Sequence, residues 1–226
     1  PTEGGLHVPF VVRGPEKYVT KGKLRDDLVD VLDLSATTLA WAGIEQPDWY
    51  EGQDLFAPDF QPRTFVASAK DRLDHTIDRV RTVRTERFRY TRNYKLDRIL
   101  LQPQYRDHQP YTQNLHDLYN TGKLSPKLAE IYFGERRPEE LYDVQRDPYQ
   151  LNNLVDDPRF AGVLEEHRTL LDGWLSKGDM GEIEEPDAEI AFQNDGPEKW
   201  RKVNPEYEHL RVDSDGDGLS DQWESY

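Results

Sequence analysis

Acidic residues and prolines divide this chain before any element is assigned to it. Residues 179–226 hold 15 acids against 4 bases, and Pro186, Pro197 and Pro205 interrupt them. No helical or strand period survives there, so that stretch reads as an irregular acidic tail. The information for a packed fold must lie in residues 1–178. They suffice for a real core, and the whole chain's 5 Trp, 12 Tyr and 8 Phe argue for packed structure. The absence of cysteine excludes disulfide scaffolds, thiolate-bound zinc and thiol catalysis. A membrane helix needs roughly 20 apolar residues, and no run approaches that length. The chain opens at Pro1 without a Met or a signal peptide, so it reads as a piece whose natural beginning lies upstream.

The net charge of −15 hides a local reversal. Residues 63–106 carry 12 bases and 5 acids inside an almost balanced body. Such a stretch is either a solvated strand face or a surface that attracts an anionic substrate. Nucleic acid is the poorer partner, because the chain is acidic overall and no aromatic-basic binding motif occurs.

Periodicity predicts an edge strand over residues 6–13, with Pro9 tolerated only at an edge or a strand start. A helix follows over 25–43, where Leu28, Val31, Leu32, Leu39 and Ala42 fall near helical spacing and Gly43 stops it. Residues 63–68 predict a short strand. Residues 79–92 alternate Val83, Phe88 and Tyr90 with arginines around a turn at 85–87, the pattern of a hairpin. Residues 95–120 read as irregular and aromatic, and 124–133 as a short helix. Residues 140–144 form a last strand. Asp157-Pro158 then opens a helix whose apolar side is Phe160, Val163, Leu164, Leu170, Leu171 and Trp174.

Five segments carry a family resemblance. Glu3-Gly4-Gly5-Leu6-His7-Val8-Pro9 resembles a strand motif of the formylglycine-dependent sulfatases, of the alkaline-phosphatase-like superfamily, and residues 30–44 resemble the helix that follows it. Gly52-Gln53-Asp54-Leu55 matches a loop in which Ser is usual at the place of Asp54. Val80-Arg81-Thr82-Val83-Arg84 with Phe88-Arg89-Tyr90 matches the family's hairpin. Glu140-Leu141-Tyr142-Asp143-Val144, Asp147-Pro148 and Asn152-Asn153-Leu154 match its C-terminal signature, with Gln150 where Glu is common. The order and spacing are those of the family over residues 3–177. The tyrosine-rich insert is most similar to the heparan N-sulfatase branch.

The resemblance implies an α/β fold, α+β for this stretch: the edge of a large mixed sheet, then a small antiparallel sheet packed by a C-terminal helix. It implies the end of a catalytic domain in 1–62 and a C-terminal subdomain in 63–178; the lost period and the prolines make 179–210 a linker, and 211–226 reads separately as an EF-hand-like calcium loop. It also implies hydrolysis of sulfate esters or sulfamates of sulfated carbohydrate, with a formylglycine made from Cys or Ser in a C/S-x-P-x-R motif and a calcium ion. This chain has no Cys and no S-x-P-x-R. The catalytic nucleophile and metal ligands are thus expected upstream, and no catalytic residue maps here. What maps is a wall of the substrate pocket, with Asp71, Arg72 and His75 in a polar turn beside the basic hairpin. Arg72 suits bidentate contact with a sulfate or carboxylate, and His75 a sugar hydroxyl. His108 and His116 are candidates to line the same pocket. His7 reads as structural, and His167 and His209 as solvent-exposed.

The tail holds one further motif. With Asp213 at position 1 of a calcium loop, Asp215, Asp217, Leu219, Asp221 and Glu224 fall at positions 3, 5, 7, 9 and 12, and Gly218 at the sharp turn. A hard cation wants roughly six to eight oxygens, and alternating carboxylates on a tight turn converge to supply them. No paired helical hand accompanies the loop, which resembles the thrombospondin type-3 and dockerin-like repeats of exported proteins. Secretion to the periplasm or cell surface is the expectation. The alternatives are a phosphate or phosphonate ester hydrolase of the same superfamily and a calcium-dependent adhesion or scaffold module.

Overall fold

A computed structural model describes residues 2–73, 76–96, 98–102 and 105–179, without the side chains at 72, 73, 76, 77 and 105. The linker expected at 179–210 and the loop at 211–226 lie outside the described residues, Asp179 excepted. One helical turn, α1 (Glu3–Leu6), precedes helix α2 (Val31–Ala42). Strands β1 (Phe65–Leu73), β2 (Thr76–Thr85) and β3 (Phe88–Asn93) follow as hairpins. Helices α3 (Pro110–Asn120) and α4 (Pro126–Phe133) lead to strand β4 (Glu139–Asp143) and helix α5 (Ala161–Leu175). The strands make one antiparallel sheet in the order β1-β2-β3-β4, as the alternation in the sequence predicted.

The chain divides into two compact units. The first comprises Pro1–Ser68, Thr82–Tyr90 and Leu141–His167, and the second comprises Ala69–Arg81, Thr91–Glu140 and Arg168–Tyr226.

In the first unit the predicted strand at 6–13 does not form. Residues 8–13 follow α1 and belong to no helix or strand. Pro9 has no N–H to give, and a lone extended segment gains no hydrogen bonds until another strand lies beside it. Helix α2 starts six residues later than predicted because Asp30 caps it. The Asp30 carboxylate accepts from the Leu32 N–H at 3.0 Å, and the Asp33 carboxylate accepts from the Asp30 N–H at 2.8 Å. This reciprocal box fixes the helix start. Gly43 ends it at φ 69°, a left-handed conformation that a Cβ would strain. Val83, Tyr90, Leu141, Tyr142, Val144 and Leu164 are buried in this unit. The Asn153 carboxamide accepts from the Leu141 N–H at 2.9 Å, and the Leu154 N–H donates to the Leu141 carbonyl at 2.8 Å. The Asn-Asn-Leu segment thereby latches strand β4.

In the second unit, residues 95–120 are more regular than predicted: they hold a 3-10 turn at Tyr105–His108 and helix α3. The weak helix formers Tyr, His and Asn concealed it. Pro110 presets its first turn, Tyr119 stacks on Phe133 of α4 at 3.9 Å, and His116 meets the same ring edge-on at 5.5 Å.

Candidate functional site

The strands β2 and β3 and the turn between them carry Arg79, Arg81, Arg84, Arg87, Arg89 and Arg92, and each of them finds a carboxylate. In the second unit the Arg81 Nε donates to Asp179 at 2.9 Å and its Nη1 to Asp71 at 2.7 Å. Arg79 Nη2 reaches the same Asp179 at 2.7 Å, with its guanidinium 5.2 Å from the Tyr94 ring centroid. Arg92 pairs with Asp172 at 2.7 Å. In the first unit Arg84 Nε and Arg89 Nη2 both donate to Glu3 Oε1 at 2.8 Å, and Arg87 pairs with Asp143 at 2.6 Å. Four of these acids, Glu3, Asp143, Asp172 and Asp179, come from outside the basic stretch. The charge surplus of residues 63–106 therefore serves as a pairing surface for the protein's own carboxylates.

Two of the acids are hubs. Asp78 in β2 is buried and accepts from Lys70 at 2.7 Å, Gln102 at 3.1 Å and both terminal nitrogens of Arg136 at 2.6 and 2.9 Å. Burial alone would raise its pKa. The Arg136 hydrogen bonds and the Lys70 charge outweigh that and hold it far below the usual carboxylate range. Glu3 is likewise buried, and its N–H donates to the Gln150 side chain at 2.6 Å. Burial pushes its carboxyl up, and Arg89 and Arg84 pull it further down. Gln150 adopts φ 55°, a left-handed backbone that is uncommon for a residue with a Cβ.

Of the three residues assigned to the substrate turn, Asp71 and Arg72 lie instead within strand β1, which runs on to Leu73, and the half-exposed Asp71 side chain is gripped by Arg81. The Arg72 side chain and His75 lie outside the described residues. His108 is exposed, and His116 packs on Phe133. His7 is exposed too, 3.5 Å from the Glu3 carboxylate. His167 reverses its expectation: it is buried, with Nδ1 2.7 Å from the Val163 carbonyl and Nε2 2.9 Å from the Thr85 hydroxyl, edge-on to Phe88. It sits seven residues after Phe160, four after Val163 and four before Leu171, on the apolar stripe of α5. That spacing was the signal that it faces inward.

A cleft of about 470 Å³ in the first unit is lined by Ser35, Thr38, Leu39, Pro47, Trp49 and Tyr50. Its lining holds three hydroxyl side chains and no carboxylate, imidazole, amine or guanidinium. Among the described residues no cluster of three or more His, Asp or Glu side chains is placed to hold a metal ion. All six calcium-loop positions, Asp213, Asp215, Asp217, Leu219, Asp221 and Glu224, fall outside the described residues.

Kinship identifies the chain where site chemistry does not. An ulvan-active sulfatase of Formosa agariphila is 31% identical over 191 residues, covering 83% of this chain and 32% of the relative. Human N-sulphoglucosamine sulphohydrolase is 28% identical over 186 residues, covering 75% of this chain and 36% of the relative. A solved 2-O GAG sulfatase overlaps 69% of this chain and 27% of its own at 24% identity and a TM-score of 0.45. No family model matches the chain. The chain is a homologue of the sulfatases, related to their C-terminal region. It spans about a third of the length of these two curated relatives.

Proposed function

We propose that this chain is the C-terminal part of an exported sulfatase that hydrolyses sulfate esters or sulfamates of sulfated glycans. The observation that carries this reading is the sequence kinship with the ulvan-active sulfatase across four fifths of the chain. The relatives' names favour sulfur over the phosphate and phosphonate alternative. With no Cys and no S-x-P-x-R in the sequence, the formylglycine that supplies the nucleophile in such enzymes belongs to residues outside it. The contribution of this part is to substrate recognition: Arg72 contacts a sulfate or carboxylate, His75 a sugar hydroxyl, and Asp71, held by Arg81, fixes the end of β1, on which Arg72 lies ahead of His75. The tail loop takes a calcium ion through Asp213, Asp215, Asp217, Asp221, Glu224 and the Leu219 carbonyl. Five carboxylates within twelve residues repel one another by roughly 1 kcal/mol per close pair in water, a cost that a cation removes.

The test is sulfate release from ulvan fragments and from N-sulfoglucosamine. The complete product of the gene that encodes this chain should release it, and the purified chain alone should not. Turnover by the chain alone, or phosphate-ester hydrolysis by the complete product in place of sulfate release, would overturn the reading. For the loop, calcium titrated into the chain to millimolar levels should change Trp223 fluorescence, and Glu224→Ala should abolish the change. A silent titration of the unmodified chain would leave an acidic tail without a metal.

A further inference from the structure

Asp78 has more partners than a strand carboxylate needs, and the sheet shows why. Strand β1 lies at one edge, so the hairpin it makes with β2 depends on β3 for support. Strand β3 stops at Asn93. The Tyr94 N–H still reaches the Arg79 carbonyl at 3.0 Å, but no backbone hydrogen bond from residues 95–102 meets residues 76–78 among the described residues. The far end of the hairpin is thus a two-stranded ribbon, which is marginal in water without further packing. Asp78 lies on that end, and its carboxylate gathers the support that the ladder does not give. Lys70 of β1 donates to it from across the hairpin, Gln102 from the segment ahead of the 3-10 turn, and Arg136 through two nitrogens from the segment between α4 and β4. Arg136 also donates to the Lys95 carbonyl at 3.2 Å, which ties the chain leaving β3 to the same group. The Arg136 side chain is only 4% exposed and Gln102 is buried, so water competes little for these bonds.

The place of this brace gives it a role beyond holding strands together. Lys70 stands two residues before Arg72, and Asp78 three residues after His75. The brace therefore closes around the stretch proposed to meet the substrate. We infer that Asp78 is a positioning residue for substrate recognition: with Lys70, Gln102 and Arg136 it fixes the end of the β1–β2 hairpin so that Arg72 and His75 meet a sulfated sugar. This rests on the reading of the chain as the recognition part of a sulfatase. Asp78 acts through the hairpin and touches no substrate atom. Its removal should weaken binding rather than slow the chemistry, because the nucleophile belongs to residues outside this sequence.

Two measurements test the inference. In this chain, Asp78→Asn should make the amides of Arg72, Leu73 and Thr76 exchange several-fold faster and leave those of Leu141 and Tyr142 in β4 unchanged. Unchanged exchange at the hairpin end, or equal acceleration in β4, would overturn it. In the complete gene product, Asp78→Asn should raise KM for a sulfated glycan fragment roughly tenfold, as a small misplacement of contacts does, and leave kcat within about twofold. With Arg72→Ala and His75→Ala already in place, adding Asp78→Asn should raise KM no further. Losses that add, or a fall in kcat at constant KM, would make Asp78 a general scaffold residue and overturn the inference. Should Asp78→Asn fail to fold, Gln102→Ala removes one partner alone and should raise KM in the same direction by less; an unchanged KM there would count equally against it. A complete product with no sulfatase activity at all would overturn the enzyme reading instead, and exchange at the hairpin end would still decide whether Asp78 braces it.

Discussion

Residues 2–62 and strands β2 to β4 are dressed in opposite senses. In the first region the buried set is half polar, with Glu3, Asp33 and Thr37 beside Val19, Ala36 and Leu55, and large apolar side chains stand outside. In the strands, Val80, Val83, Tyr90 and Leu141 are inside, and the arginines interleaved with them are paired. Hydrophobic content is therefore a poor guide to what each region needs. Around α2 a carboxylate does the holding. Asp33 accepts from the N–H groups of Asp30 and Gln53 and from two nitrogens of Arg63, tying two points of the connection between α2 and β1 to the helix start.

The sharpest way to break the comparison is Asp33→Ala. It strands Arg63 and two backbone donors, and it should cost about 4 kcal/mol in urea unfolding. A loss below 1 kcal/mol would mean that the polar interior of residues 2–62 holds nothing. Leu141→Ala in β4 should cost about 3 kcal/mol, as a cavity in a conventional core does.

The next effects are pH-dependent. Burial holds His167 below its ordinary pKa of 6.5, against the opposing pull of the Val163 carbonyl and Glu166. The folded state thus favours neutral imidazole, while the unfolded chain binds a proton near pH 6.5. Stability should be full above that value and fall as pH drops below it, and His167→Gln should flatten the Tm profile between pH 7.5 and 5.5. Glu3 behaves in the same direction lower down. Its folded pKa lies below 4.5, so its contribution is present above that value and is lost as pH falls toward the folded one. Smallest of all, Val11→Ser and Trp49→Ser should each change the stability of this chain by no more than about 0.5 kcal/mol. A large loss from either would show that these side chains are packed in solution.

The sheet was legible because its signals are local. Val83, Phe88 and Tyr90 alternate with arginines, and Asp157-Pro158 announces the helical segment whose α-helix begins at Ala161. That residues 8–13 form no strand was not legible, since pairing depends on a neighbour that no local pattern names. Glu3 gave no hint of burial: its partners Arg84 and Arg89 lie more than eighty residues away. The substrate turn was read from resemblance alone. The contact that the structure adds there, Arg81 to Asp71, joins two strands, and Asp179 completes it from the far end of α5.

Asp179 has a mechanical consequence. Helix α5 stops at Leu175, and Gly178 turns the chain at φ 119°, where a side chain would be strained. The Leu175 carbonyl accepts from the N–H groups of both Gly178 and Asp179 at 3.2 Å. One residue past that glycine, two guanidinium groups of β2 grip the Asp179 carboxylate. Tension applied to the chain beyond it is delivered into a strand through charged contacts, before the last turn of α5 can peel away. The tail is moored to the sheet, and the helix end is shielded from load.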